Sequence, residues 1–444
     1  MSDAIAKVSG QVLEGRSTDA TMADLVDSPK LASAHLEFTT SCNLKCSYCA
    51  VSRPTYRATT LSDSMLTQAV DALIALRLHD VNISGHGETT TVPGWQHQAR
   101  RLIDAVSVVS IISNLSKAYS PEEIETLARI AVIMVSIDTV DIDLFKHLRR
   151  GGDLRRVLYN IGAIRACALR LGITAPLFKW ASVVCDKTIF ALPALVDYGL
   201  ALGIRHFHFQ NLVQLEKISG TLEFSPLGAM SSIDLAQVPK VFEEIQRKLA
   251  DHGALFEIQP GVLEAIASVE GGPKVEQTTN ESVSIFRVTR SAENLTRNCI
   301  DPWNLTYISA DGAVKPCCIM TERLGTLGVD GNLSDLFHGQ LLREYRYGLL
   351  SGELKGSCKD CHSRGWVSIE ELARKVKDYI DENSLVKALS AESEPRTAAA
   401  AANWAAEIAE QNSLPVLVPK PFRRVLSLLP IRVRRGIRSV VFGR

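Results

Sequence analysis

Cys42, Cys46 and Cys49 fall in the run Ser41-Cys42-Asn43-Leu44-Lys45-Cys46-Ser47-Tyr48-Cys49, a C-x3-C-x2-C spacing on one short loop. Three thiolates so placed can hold three irons of a cubane and leave the fourth iron open. An open iron is a place for chemistry, whereas a fully ligated cluster mainly stores or passes electrons. A zinc site normally takes four protein ligands, and no fourth Cys or His sits close by in the sequence. The stretch His35-Leu36-Glu37-Phe38-Thr39-Thr40 leads straight into the loop and reads as a strand that ends at the cluster.

With 444 residues the chain is long enough for two or three domains. Its 49 basic and 49 acidic residues balance, so no global field points to nucleic acid. Met1 to Gly15 lacks the apolar core of a signal peptide, and no apolar run is long enough to cross a bilayer. These features predict a cytoplasmic protein, in a compartment where thiols stay reduced and free to ligate metal. Eight of the ten cysteines fall in two groups, the first being the loop above and the second Cys299, Cys317, Cys318, Cys358 and Cys361. Cys167 and Cys185 stand apart, Cys167 inside an amphipathic run that makes it core.

From residue 34 to about 262, β-rich runs alternate with amphipathic helical runs. Strand candidates begin at His35, Asp80, Ser107, Ala131, Phe178 and Arg205, with helical runs such as Met65–Leu78, Pro121–Ile130, Leu154–Leu171 and Leu192–Leu202 between them. That rhythm signals parallel βα units, whose functional residues gather at the C-terminal ends of the strands. A helix over Val238–Asp251 and a last strand at Phe256-Glu257-Ile258 close the region. The division expected is an N-terminal extension (1–33), a βα domain (34–262), a connector (263–298), a cysteine-bearing module (299–366) and a helical, then basic, tail (367–444), with helices over Ser368–Lys387 and around the Ala-rich Thr397–Ala406.

The strand-then-cysteine-loop arrangement resembles the radical SAM superfamily, and the six βα units match that family's partial (β/α)6 barrel. The resemblance implies a 4Fe–4S cluster on Cys42, Cys46 and Cys49 that binds S-adenosylmethionine, an electron donor such as flavodoxin or ferredoxin, and reductive cleavage giving a 5′-deoxyadenosyl radical. It places Tyr48, the aromatic residue before the third cysteine, near the adenine. Ser84-Gly85-His86-Gly87-Glu88 stands where family members carry a glycine-glycine-glutamate element that meets the methionyl amine, glycine letting the main chain approach closely. His86 replaces a glycine there and Thr89 a proline. Asn114, at the end of the third strand, and Ser136 and Asp138, at the end of the fourth, take the places of contacts to the ribose and the carboxylate. As isolated residues they read equally as turn or cap residues.

Arg205-His206-Phe207-His208-Phe209-Gln210 alternates strictly. With helices on the outer face, the phenylalanines point outward and His206, His208 and Gln210 line the cavity, which suits a polar substrate. Histidines satisfied by their neighbours are the competing reading. Cys185 closes the fifth strand, and the resemblance makes it a candidate hydrogen-atom donor, as in some radical SAM epimerases, against the plainer reading of a buried structural thiol.

In the second cysteine group, Asp311-Gly312 between two β-type runs is a hairpin signal. The hairpin brings the Cys299 and Cys317 ends together, and Cys358-Lys359-Asp360-Cys361 adds a C-x2-C pair. The module resembles the SPASM/Twitch extension of radical SAM enzymes. Cys299, Gly312 and Cys317 obey its opening pattern, which favours Cys317 over Cys318. No cysteine follows Cys361, so the shorter Twitch form is implied, with one auxiliary 4Fe–4S cluster on Cys299, Cys317, Cys358 and Cys361. A structural zinc site on the same thiolates, in a non-catalytic binding protein, is the alternative.

The tail from Lys420 to Arg444 carries eight basic residues and no acid, interleaved with apolar ones. It is a candidate for docking on an anionic membrane surface, on the protein's own body or on a partner. The fold expected is thus α/β, a partial barrel followed by a small cysteine-rich hairpin and helix module and a basic amphipathic tail. The function expected is hydrogen abstraction from a polar small molecule, as dehydrogenation or epimerisation of a carbohydrate or cyclitol. The rival is a peptide-modifying enzyme, disfavoured by the roughly 33 residues before the first strand, too few for a leader-peptide-binding domain.

Overall fold

The computed structural model describes residues 21–212, 224–267, 294–361 and 363–392. The Ala-rich segment, the basic tail and most of the connector lie outside the described residues. Among those described, the strands are β1 (Ser33–Leu36), β2 (Asp80–Asn82), β3 (Val108–Ser113), β4 (Val132–Ser136), β5 (Leu177–Val184), β6 (His206–Asn211), β7 (Leu255–Ile258), β8 (Leu295–Arg297), β9 (Leu305–Ile308), β10 (Ala313–Lys315), β11 (Gly325–Thr326) and β12 (Trp366–Ser368). The chain forms two compact units. Of the described residues, one holds those from 21–41, 58–109 and 294–392; the other holds those from 42–57, 110–212 and 224–267. The first strand and the cysteine module, assigned to separate segments by the sequence, thus share a unit. No helix among the described residues is long and apolar enough to cross a membrane.

In the first unit β1 pairs parallel with β2, Ser33 opposite Asp80 and His35 opposite Asn82. On its other side β1 pairs parallel with β9, from Ser33 opposite Leu305 to Leu36 opposite Ile308. β10 and β11 continue this edge antiparallel, through the expected hairpin. The turn needs Gly312, whose φ is +80°. The helix Asp63–Ala75 starts at Ser62, whose side chain accepts from the Met65 N–H, and buries Leu66, Ala69, Val70 and Leu73. A separate core gathers Leu25, Val26, Trp303, Leu349, Leu350, Val367, Leu372 and Val376, with the Trp303 indole N–H donating to the Leu25 carbonyl at 2.7 Å.

In the second unit β3 to β7 pair in sequential order, all parallel. The helices Pro121–Arg129, Leu154–Leu171, Leu192–Ala201 and Val238–Ala250 form the crossovers, within a residue or two of their sequence-based bounds. Periodicity makes them legible, and so do their caps. Ser120 and Glu123 form a capping box, and Gly172 ends the long helix in the left-handed region at φ +66°. The outward residues of the strands, Ile133, Val135, Phe178, Trp180, Phe207 and Phe209, are buried. Phe209 packs edge-on to Phe242, and Trp180 edge-on to Phe207. Each such ring contributes about 1.5–3 kcal/mol by leaving water. On the opposite face Lys179, His206, His208 and Gln210 remain half-buried, the facing that the alternation in β6 predicts.

A Cβ on Gly199 would sit 2.8 and 2.9 Å from Phe207 ring carbons and 3.0 Å from Trp180. Both rings are locked in the core, so neither can yield. Gly199→Ala is expected to lower unfolding stability by about 1–3 kcal/mol, read from the urea midpoint at constant slope.

Candidate functional site

The Cys42–Cys49 loop is held from one side by the chain that follows the helix Ile142–Leu148. Lys45 N–H donates to the Arg150 carbonyl at 2.8 Å, and Ser47 donates its N–H (2.8 Å) and its hydroxyl (3.1 Å) to the Leu148 carbonyl. Cys42 Sγ accepts from Leu44 N–H at 3.4 Å and from Asn114 Nδ2 at 3.7 Å, and the same Asn114 amide donates to Asn43 Oδ1 at 2.9 Å. Asn114, just past the end of β3, therefore stands at the cysteine loop. Cys46 is buried; burial pushes its thiol up to about 12, with Arg149 pulling the other way. A thiol must lose its proton to become a ligand, so iron has to displace that proton.

Asp138 is enclosed by donors of the protein itself. Its Oδ2 accepts from the Tyr48 hydroxyl at 2.7 Å and from Arg149 Nε at 2.8 Å, and its Oδ1 from Arg149 Nη2 at 3.0 Å and the Val183 N–H at 2.9 Å. Both oxygens are committed to the protein's own donors. Asp138 is fully buried and Arg149 is 6% exposed. Burial works against the Arg149 charge, but Asp138 outweighs it and keeps the guanidinium charged. Burial also holds the Tyr48 hydroxyl well above its usual range, so it stays a donor. The bidentate pair thereby fixes the tyrosine between Ser47 and Cys49. Ser136 is half-buried at the end of β4, opposite Ala181.

Cys185 is 1% exposed and packs with Leu148, Leu212 and Phe224, against which Tyr48 and Val183 also lie. Its sulfur accepts from the Thr188 hydroxyl at 3.6 Å, and burial raises its thiol. His208 Nδ1 lies 3.0 Å from Glu257 Oε2, across the β6–β7 register. Burial, then the Lys179 ammonium, push His206 down to about 4, with Glu257 opposing. Lys179 stands opposite His206 in the β5–β6 register, so this inner face carries Lys179, His206, His208 and Glu257 together. Cys167 is buried in its helix, as expected.

In the other unit the Gly85–Glu88 loop lies against β1 and its continuation. Glu37, 2% exposed, accepts from the His86 N–H at 2.6 Å, lies 3.0 Å from His86 Nδ1, and accepts from the Ala310 N–H at 3.1 Å. Burial alone would raise this carboxyl; the His86 and Ala310 donors outweigh it and hold it below its ordinary range. The glycines answer to this packing. A Cβ on Gly85 would sit 2.2 Å from Glu37 Oε1, and one on Gly87 2.3 Å from the Ser41 carbonyl oxygen and 2.5 Å from that of Thr39. Both glycines thus stand in close approach to the protein's own first strand and its continuation. Glu88 donates its N–H to Ser41 at 2.8 Å and accepts from the Thr90 hydroxyl at 2.7 Å.

The same unit carries the second cysteine group. Cys299, Cys317, Cys358 and Cys361 are half-buried, and Cys318 is exposed. Burial holds Cys299 well above its ordinary range and Cys358 up to about 12, and both are raised further by Cys317. Cys317 also feels Cys361 and accepts from the N–H groups of Ile319 and Met320. It packs in one apolar cluster with Cys358. Among the described residues no three Cys, His, Asp or Glu side chains surround a point that a single metal ion could take. Sequence reading missed Glu37, Arg149, Arg297 and Arg364. A lone acid in the apolar strand His35–Phe38 and the paired Arg149-Arg150 ahead of Gly151-Gly152 were the available signals.

Residues 36–179 match the family model of the radical SAM superfamily, and residues 299–362 that of the SPASM iron-sulfur cluster-binding domain. The chain carries a radical SAM domain followed by a SPASM domain. Its cofactors are S-adenosylmethionine and a 4Fe–4S cluster, with an auxiliary iron–sulfur cluster in the second domain. The zinc alternative for the second group gives way to that match. The donor chemistry fits iron–sulfur clusters: three soft thiols lie on one pinned loop, and in the second group Cys317 and Cys358 pack against one apolar cluster.

A GTP 3′,8-cyclase of Sinorhizobium medicae is 30% identical over 176 residues, 37% of this chain and 49% of that protein. One of Caulobacter vibrioides is 29% identical over 177 residues, 37% and 47%. The chain spans about half the length of the curated relatives it matches. Streptococcus suis SuiB bound to precursor peptide SuiA superposes with a TM-score of 0.51 at 14% identity, covering 76% of this chain and 70% of that one. Native anSMEcpe with bound AdoMet and Kp18Cys peptide gives 0.51 at 16%, covering 80% and 98%. At these identities the likeness is one of fold, and it bears out the α/β class with its cysteine-rich module.

Two outcomes follow from the buried charges. Arg149→Met strands the Asp138 carboxylate and is expected to cost about 3–5 kcal/mol by denaturant unfolding, with a smaller loss in the Arg149→Met, Asp138→Asn double variant. Between the ordinary histidine value of 6.5 and about 4, an unfolded His206 binds a proton that the native one refuses. Stability should therefore fall as pH drops through that window. In His206→Gln the fall should be shallower, measured as unfolding midpoints from pH 7 to pH 4.

Proposed function

We propose that Cys42, Cys46 and Cys49 hold the cluster that binds S-adenosylmethionine, and that the enzyme abstracts hydrogen from a polar, sugar-bearing small molecule to dehydrogenate or epimerise it. The bound cofactors supply one electron and, from the cleaved sulfonium, the abstracting radical. Tyr48, Gly85, Gly87, Glu88, Asn114 and Ser136 serve that cofactor, as the family resemblance implies. Asp138 acts behind them by ordering Tyr48 and Arg149.

The observation that carries the substrate reading is the inner face of β5 to β7. Lys179, His206, His208 and Glu257 meet there by strand register. Gln210 continues the row opposite Val183. Ammonium, imidazole, amide and carboxylate groups on one face can bind hydroxyls and acidic groups from several sides. A second reading, cyclisation of a nucleotide, is favoured by the 30% identity to a GTP 3′,8-cyclase over 176 residues. A sugar ring is common to both. Cys185 is the candidate hydrogen donor to the substrate radical if the outcome is epimerisation.

Cys299, Cys317, Cys358 and Cys361 hold the auxiliary cluster, which takes the second electron when the reaction ends in oxidation. Cys317 is preferred to its exposed neighbour because it is half-buried and packs in one apolar cluster with Cys358. Anaerobic turnover with candidate substrates in deuterium oxide tests the scheme. Alanine at Cys42, Cys46 or Cys49 should abolish formation of 5′-deoxyadenosine. Alanine at Cys358 or Cys361 should stop product formation while S-adenosylmethionine is still cleaved; intact turnover there would refute the electron-acceptor role. Deuterium in the product marks epimerisation, and its absence from an oxidised product marks dehydrogenation.

A further inference from the structure

The reading of Cys299, Cys317, Cys358 and Cys361 as ligands leaves open what shapes their two arms, and the inference rests on that reading. β8 and β12 pair antiparallel, with Arg297 opposite Trp366 and Leu295 opposite Ser368. The ladder lays the chain entering Cys299 against the chain leaving Cys361, and Asn298 N–H extends it with a 2.9 Å bond to the Gly365 carbonyl. Each arm then lends an arginine to the other. Arg297, 8% exposed, donates from Nε to the Cys358 carbonyl at 3.2 Å, from Nη2 to the Lys359 carbonyl at 2.7 Å and from Nη1 to the Arg364 carbonyl at 3.1 Å. Its guanidinium lies 3.8 Å from the centre of the Trp366 ring. In return Arg364 donates from Nη2 to both oxygens of Asp301, at 2.7 and 2.9 Å, two residues past Cys299.

We infer that Arg297 is a positioning residue for the auxiliary cluster: it shapes the Cys358–Cys361 loop before metal arrives and keeps a positive charge beside the cluster afterwards. One planar fork reaches three carbonyls around a turn, which a single ammonium cannot match. A cluster with four thiolate ligands is anionic and gains further negative charge on reduction. A fixed guanidinium therefore favours the reduced form and raises the potential. Grip and charge are separable, because Arg297→Lys retains charge without the fork and Arg297→Met retains neither.

The test uses the full chain. In metal-free protein, both variants should exchange the Cys358 and Lys359 amide hydrogens about tenfold faster than the parent. After anaerobic reconstitution, Arg297→Met should lose most auxiliary-cluster iron and sulfide. The spectroscopic change that S-adenosylmethionine induces at the N-terminal cluster should persist. In the fraction that assembles, the auxiliary midpoint should drop by about 59 mV, a tenfold shift for one electron. Arg297→Lys should assemble poorly yet keep the parent midpoint. Parent-like exchange, iron content and midpoint in both variants overturn the inference. Should Arg297→Met fail to fold, exchange in Arg297→Lys decides the grip, and the midpoint of Arg297→Gln, expected to drop as in Arg297→Met, decides the charge. Cys358→Ala separates the two layers. If it keeps the auxiliary cluster, the ligand assignment fails. If it loses the cluster while the Arg297 variants behave as the parent, the ligands stand and the clasp falls.

Discussion

Glu37 is a carboxylate enclosed by protein, and the loop at Gly85–Glu88 takes its form from it. A buried charge is tolerated when enough donors face it, and here they come from His86 on one loop and Ala310 on another. The carboxylate leaves no room for a side chain at residue 85. Its charge thus dictates both the backbone course of the loop and the residue that can occupy it. The hairpin beginning at Ala310 is the one that delivers Cys317, so a single side chain ties the first strand to the auxiliary module.

The second unit uses the same device. Asp138 and Arg149 form a buried bidentate pair, and Tyr48 and the Val183 N–H complete the carboxylate's partners. Removing one member would leave the other charge stranded, so such pairs are costly to break whatever their net contribution. Here the pair orders the tyrosine between Cys46 and Cys49, while main-chain bonds to the Arg150 and Leu148 carbonyls hold the loop itself. In each unit the residues expected to meet the cofactor rest on a buried charge, Glu37 in one and the Asp138–Arg149 pair in the other.

Much of the architecture was readable in one dimension. Helix bounds such as Leu154–Leu171 matched because an apolar period, an acidic cap and a terminal glycine agree over the same residues. The facing of β6 followed from alternation once helices were assigned to one side. What escaped was the place of β9 beside β1. This short strand near residue 305 lies parallel to β1 and draws the cysteine module into the unit of the first strand. Nothing local marks such a partner, since pairing depends on which edge is free after the rest has folded.

The two cysteine groups and the cofactor classes that go with them were legible in the sequence alone. The C-x3-C-x2-C spacing, and the pattern joining Cys299, Gly312, Cys317 and the C-x2-C pair, are local statements about how many thiols share a loop. Which groups enclose these polar positions was settled only by the fold. Asp138 and Gly85 read as cofactor contacts from the sequence, and it is the folding of the chain that sets Arg149 against the one and Glu37 against the other. For Glu37 one donor is 273 positions away along the chain. Contacts at such separations carry no periodicity or spacing for sequence reading to find.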